Sequence, residues 1–163
     1  MSHAIRLAVQ DQFLDCFIND QLTWRTTISS ILLIAEYTTN EGPYVDDYFV
    51  EFWSLEDGSV LRARASFYAA GVDDTFARIA AELKADLTFD LIGSTEWASR
   101  IMWPLGLAGH PYFDFREVKP ANLRERTAQR LFGSAQEYVL TGEVQAFLKR
   151  YKHAGDDNRN PPE

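Results

Sequence analysis

Three histidines, one cysteine and the aspartate pairs Asp46-Asp47 and Asp73-Asp74 are the residues best suited to metal or nucleophilic chemistry, and their spacing decides how much they can share. His3, His110 and His153 are scattered, whereas zinc needs three or four nitrogen, sulfur or oxygen donors brought together. His110, in Gly109-His110-Pro111 between loop formers and aromatics, has the chemistry of a general base but no partner in the sequence, so it reads as a polar loop residue. Cys16 alternates with Leu14 beside Phe17 and Asp15. An activated thiolate wants a nearby base or helix start, so Cys16 reads as a small buried hydrophobe. Asp46-Asp47 and Asp73-Asp74 carry oxygen ligands for a hard cation, but neighbouring side chains on an extended chain point to opposite sides. Phosphate-loop, nucleophile-elbow and His-Glu-x-x-His patterns are missing from the sequence. No catalytic residue, metal or cofactor is assigned.

Two groups have binding chemistry instead. The stretch Glu41 to Asp47 mixes acidic and aromatic side chains, with Tyr37, Tyr44 and Tyr48 close by, a composition common on protein contact surfaces. Glu41, Tyr44, Asp46 and Asp47 are therefore the partner-binding candidates. Lys119, Arg124, Arg126 and Arg130 accumulate in an otherwise acidic chain, and Arg126 and Arg130 stand one helical turn apart. They either bridge a carboxylate ligand or acidic peptide or form a solvated face balancing Glu117 and Glu125. A pocket built from Trp97, Trp103, His110, Tyr112, Arg126 and Arg130 is the small-ligand or enzyme alternative.

The elements that must position these residues are read from periodicity. Residues 4 to 9, 13 to 18 and 21 to 26 alternate as strands, with Asn19-Asp20 as a tight turn between the second and third. Residues 28 to 37 predict a fourth strand, closed by the turn formers Thr38 to Pro43. Asp57-Gly58 predicts a two-residue hairpin whose paired positions sum to 115. Tyr48, Val50 and Phe52 then face Phe67, Ala65 and Ala63, while Glu51 meets Arg64 and Trp53 meets Arg62 on the other side. Slipping by one residue destroys both patterns.

Beyond Gly71 the period becomes 3.6: Phe76, Ile79, Ala80 and Leu83 form the stripe of a helix capped by Asp73 or Asp74. Leu87 to Leu91 alternates as a further strand, Glu96 to Trp103 predicts a short helix, and Tyr112 to Phe115 a strand. Pro120 to Leu131 reads as a helix, and Ser134 with Glu137 has capping-box spacing ahead of a last amphipathic helix bearing Val144, Phe147, Leu148 and Tyr151. The expected division is 1–90 as sheet plus helix, 91–153 as a mainly helical extension on the same domain, and 154–163 as a loose tail.

The chain has 163 residues, 46% of them apolar and 13% aromatic, enough for one core without staples. A single cysteine and the lack of a leader-like or spanning apolar run predict a cytoplasmic protein outside the membrane. Sixteen Lys and Arg against 24 Asp and Glu give a net charge of −8, which repels nucleic acid and anionic lipid and favours a basic protein partner.

Strands from the N-terminus, Trp24 ahead of Ile28-Ser29-Ser30-Ile31, the Asp57-Gly58 hairpin and a following helix resemble the bacterial pleckstrin-homology-like domains over about Ala4 to Leu87. The resemblance implies a binding scaffold, a curled antiparallel barrel or sandwich closed by a helix, without catalytic machinery. Members that bind phosphoinositides carry basic residues in an early hairpin loop; the turn here is Gln10-Asp11-Gln12, so lipid phosphate recognition is not carried over. The expected protein is α+β and non-catalytic, binds a protein partner as an acidic antidote or adaptor, and is able to form a homodimer.

Overall fold

A computed structural model describes residues 4–39, 46–117 and 136–154. Its element order is β1 (Ile5–Gln10), β2 (Phe13–Ile18), β3 (Gln21–Thr27), a 3₁₀ turn at Ile28–Ser30, β4 (Ile31–Thr38), β5 (Tyr48–Glu56), β6 (Ser59–Ser66), α1 (Val72–Leu83), β7 (Ala98–Trp103), β8 (Phe113–Glu117), β9 (Gln136–Leu140) and α2 (Gly142–Ala154). The protein is α+β, built mostly of antiparallel strands with these two helices.

Short polar turns set the strand order. Asn19 and Asp20 both take positive φ (51° and 63°), as do Asp57 and Gly58 (48° and 76°), the backbone that two-residue hairpins require. Ile18 therefore meets Gln21, and Glu56 meets Ser59. The described strands form three sheets, ordered β1-β2-β3, β6-β5-β4-β7 and β8-β9.

The four-stranded sheet is covered on both faces. Alternation sends Ile34, Val50, Phe52 and Ala65 to one side, where Leu7, Leu14, Phe76 and Ile79 meet them from the first sheet and α1. It sends Leu33, Ala35, Tyr37 and Trp53 to the other, where Tyr112, Phe113, Val144 and Leu148 close over them. Phe52, 1% exposed, lies with its ring 5.8 Å from both Trp24 and Phe76. Burying a side chain of that size stabilises by about 2–3 kcal/mol, so a one-residue slip of β5 is strongly disfavoured.

Each face also buries one glutamate. Glu36 accepts from Arg100 (Nε 2.8 Å), the Asp90 amide (3.1 Å) and the Tyr48 hydroxyl. Glu51 accepts from Arg62 through two nitrogens (2.7 and 2.8 Å) and from the Tyr112 hydroxyl, which itself receives the Trp53 indole N–H at 2.7 Å. A third carboxylate, Asp15, is gripped by both sides of the Arg25 fork at 2.6 and 2.7 Å. Every buried carboxylate of this group is thus matched by a guanidinium, which is what allows it to stay in the interior.

The hairpin register is the expected one, with Phe52 across from Ala63 and Trp53 across from Arg62. Several other expectations are corrected. Glu51 takes Arg62, its diagonal neighbour, while the directly opposite Arg64 turns to Phe49 and Tyr37. The cap of α1 is Gly71, with no side-chain cap bond; Asp73 and Asp74 sit inside the first turn, where their charge complements the helix dipole.

Residues 87–91 form no strand: Leu87 and Phe89 pack on the core, but backbone groups of this stretch go to the Arg100 and Glu36 side chains. Residues 98–103 are a strand rather than a helix, because β4 offers a free edge to pair with. Glu137 lies in β9, and the last helix begins at Gly142, with the Thr141 hydroxyl accepting from the Val144 amide at 3.4 Å. The described part of 91–153 thus holds three strands and one helix. No described sheet closes into a barrel: the 3₁₀ turn separates β3 from β4, and the outer edge of β7 is taken by Gly109 and His110 backbone bonds to Ile101. The expected helix 120–131 lies outside the described residues.

Candidate functional site

The turn from β6 into α1 builds the site. The β-ladder ends at Ser66, whose hydroxyl accepts from the Tyr68 amide at 3.1 Å and begins the turn. Ala70 then joins β1, donating to Ile5 and accepting from Leu7, both at 2.9 Å. Gly71 follows at φ +81°, and a Cβ there would lie 2.6 Å from the Leu7 carbonyl oxygen, so glycine is required at this crossing. The helix that starts next brings Asp73 and Asp74 to the surface.

Between turn and helix lies a groove of about 320 Å³, lined by Phe67, Tyr68, Ala69, Gly71, Val72, Asp73 and Asp74. Val72 and Ala69 are buried and give it an apolar floor. Tyr68 lines the groove and stands 61% exposed, and its hydroxyl donates to Asp47 Oδ1 at 2.9 Å. That hydrogen bond, with burial and the charges of Asp47 and Asp46, holds the phenol above its ordinary range. Tyr68 is thus bonded to Asp47, feels the charge of Asp46, and shares the groove lining with Asp73 and Asp74. Such a groove suits a long cationic side chain, whose methylenes pack on the floor while its head group meets carboxylates.

The partner-binding candidates divide accordingly. Asp46 and Asp47 stand beside Tyr68, while Glu41 and Tyr44 lie outside the described residues. Sequence reading missed Tyr68, Asp73 and Asp74 as companions of Asp46 and Asp47. The available signal was the break in alternation at Phe67-Tyr68, where an aromatic falls on the solvent side just past a strand end.

Of the small-ligand candidates the structure describes four, and these divide between the two sides of the sheet. Trp103 packs with the core on the α1 side of the sheet, and Tyr112 lies fully buried in the opposite core. Trp97 lies 5.7 Å from the Phe115 ring and 5.5 Å from Tyr138. His110 is half exposed, with Nδ1 2.7 Å from Glu143 Oε2, an ion pair tying its loop to α2 when the ring is protonated. Arg126 and Arg130 lie outside the described residues. Burial, then Glu51, pushes the Tyr112 phenol far up, and burial, then Glu36, does the same to Tyr48; both are neutral hydrogen-bond donors rather than acids.

Among the described residues no three His, Cys, Asp or Glu side chains converge as a metal would need, and no helix there is long and apolar enough to cross a membrane. No protein-family model, curated protein or solved structure matches the chain, so geometry alone carries the functional reading.

Proposed function

We propose that the chain is a non-catalytic protein-interaction domain that takes a basic partner into the acidic groove between β6 and α1, as an antidote or adaptor protein would. The scaffold that goes with this reading is pleckstrin-homology-like, with α1 covering a curled sheet and the C-terminal region packed on the same domain. The observation that carries the proposal is the placement of Tyr68: exposed, fixed by Asp47, and lining the groove beside Asp73 and Asp74. An exposed phenol held by a carboxylate offers a basic side chain both a π face and a negative charge without further ordering cost. The net charge of −8 adds long-range attraction for such a partner.

The test is capture from lysate of the source cell on the immobilised full chain, comparing wild type with Asp46→Lys/Asp47→Lys and with a variant also carrying Glu41→Lys. A basic protein held by wild type and lost from both variants is the expected result. Equal capture by all three removes the proposal.

A further inference from the structure

On the opposite face of the same sheet, one arginine differs from its neighbours. Arg62 and Arg100 each hold a buried glutamate, and Arg25 in the first sheet holds Asp15. Arg64 has no carboxylate within ion-pair distance among the described residues. It donates one N–H from Nη1 to the Tyr37 hydroxyl at 3.2 Å, and its guanidinium carbon lies 4.9 Å from the Phe49 ring centre. A guanidinium has five N–H donors, so most of the Arg64 fork has no acceptor among the described residues. The side chain is exposed, and packing on Phe49 holds it in place.

Arg64 also stands at one end of an aromatic strip. Phe49 stacks on Tyr37 at 5.3 Å, Tyr37 lies 6.3 Å from Tyr138, Tyr138 lies 5.5 Å from Trp97, and Trp97 lies 5.7 Å from Phe115. Tyr138 is 38% exposed and Phe115 37%, so the strip reaches the surface. Rigid aromatic area beside an arginine is the composition of strong protein contacts.

We infer that this strip is a second docking surface, for an acidic peptide segment: Arg64 takes a carboxylate of the segment in its fork, and the rings around Tyr138 take an aromatic side chain. Charge complementarity selects this occupant, because the Arg64 guanidinium has no carboxylate at ion-pair distance among the described residues, and Arg62 and Arg100 of the same sheet show how this chain satisfies such a group. The surface has the opposite sign to the Tyr68 groove and lies on the other face of β6, so the domain engages two chemically different partners.

The probe is a fluorescein-labelled peptide with Glu and Trp two residues apart and Ser between them, so that both fall on one face of an extended chain, with its Gln-for-Glu counterpart, titrated with the full chain by fluorescence polarisation. The Glu peptide is expected to bind at least about tenfold more tightly than the Gln peptide, the scale of one charge-assisted bidentate contact. Arg64→Gln is expected to erase that difference, and Asp46→Lys/Asp47→Lys to leave it intact. Equal binding of both peptides, or full retention of the difference in Arg64→Gln, overturns the inference. Should Arg64→Gln not fold, Tyr138→Ser at an exposed position replaces it: weakened Glu-peptide binding supports the strip, and unchanged affinity overturns it. Sedimentation showing that the chain dimerises through Arg64 and excludes the peptide also overturns it, in favour of a second copy as occupant.

Discussion

Replacing Glu36 with Ala leaves three donors facing a hole: the Arg100 guanidinium, the Tyr48 hydroxyl and the Asp90 amide. The Glu36 side chain is 0% exposed and that of Arg100 20%, so water cannot easily replace the lost carboxylate. Breaking a buried ion pair from one side costs about 3–5 kcal/mol. Arg100 keeps Asp90 at 2.8 Å and the Thr88 carbonyl at 2.5 Å, which places Glu36→Ala near the lower end, about 3 kcal/mol. Glu36→Gln keeps one acceptor oxygen and loses only the charge, so about 1.5 kcal/mol is expected. The triple replacement Glu36→Leu, Arg100→Met, Tyr48→Phe removes donors and acceptor together and should fall within about 1 kcal/mol of wild type. Urea unfolding followed by far-ultraviolet circular dichroism reads all three, with the slope checked for constancy. A Glu36→Ala protein within about 0.5 kcal/mol of wild type, or a triple variant as damaged as the single one, would refute the matching of buried charges as the reason these groups are tolerated.

Further outcomes follow from single contacts. Gly71→Ala forces a Cβ against the Leu7 carbonyl at a φ that side chains resist, and a loss of about 2 kcal/mol or more is expected in the same unfolding assay. Burial raises the Tyr37 phenol to about 12 and pushes Tyr48 and Tyr112 further up, so all three favour the neutral form in the fold. Their contribution to stability is complete below the unfolded value near 10 and fades as pH rises through the folded values. Absorbance at 295 nm should show these three phenols ionising only with loss of circular dichroism; stepwise ionisation of all seven tyrosines in the folded protein would contradict it.

The β5–β6 hairpin was legible in the sequence because its residue types alternate, apolar on one side and charged or amphipathic on the other, although both sides of β5 are buried. Tyr48, Val50 and Phe52 against Glu51 and Trp53, with Asp57-Gly58 between the arms, left a single register available. The strand at Ala98–Trp103 was hidden because Ile101 and Met102 are adjacent, both apolar and both buried, so the period of two disappears from its sequence. Residues 87–91 misled in the opposite way, alternating in burial while lacking a partner strand. The choice of Arg62 over Arg64 by Glu51 is a matter of diagonal reach across the ladder, which pairing sums do not encode. Asp46 and Asp47 stood out by charge alone, but the bond of Asp47 to Tyr68, and the close crossing at Gly71 that sets Tyr68 and α1 around one groove, are contacts that join distant parts of the chain.

Amide chemical-shift mapping of the full chain with the captured basic protein tests the acidic groove most directly. The expected result is a set of shifts centred on Tyr68, Val72, Asp73 and Asp74, extending to Asp46 and Asp47, and removed by Asp46→Lys/Asp47→Lys. Shifts centred on β8, β9 and α2, with the Tyr68 to Asp74 amides unmoved, would contradict a basic partner seated between β6 and α1.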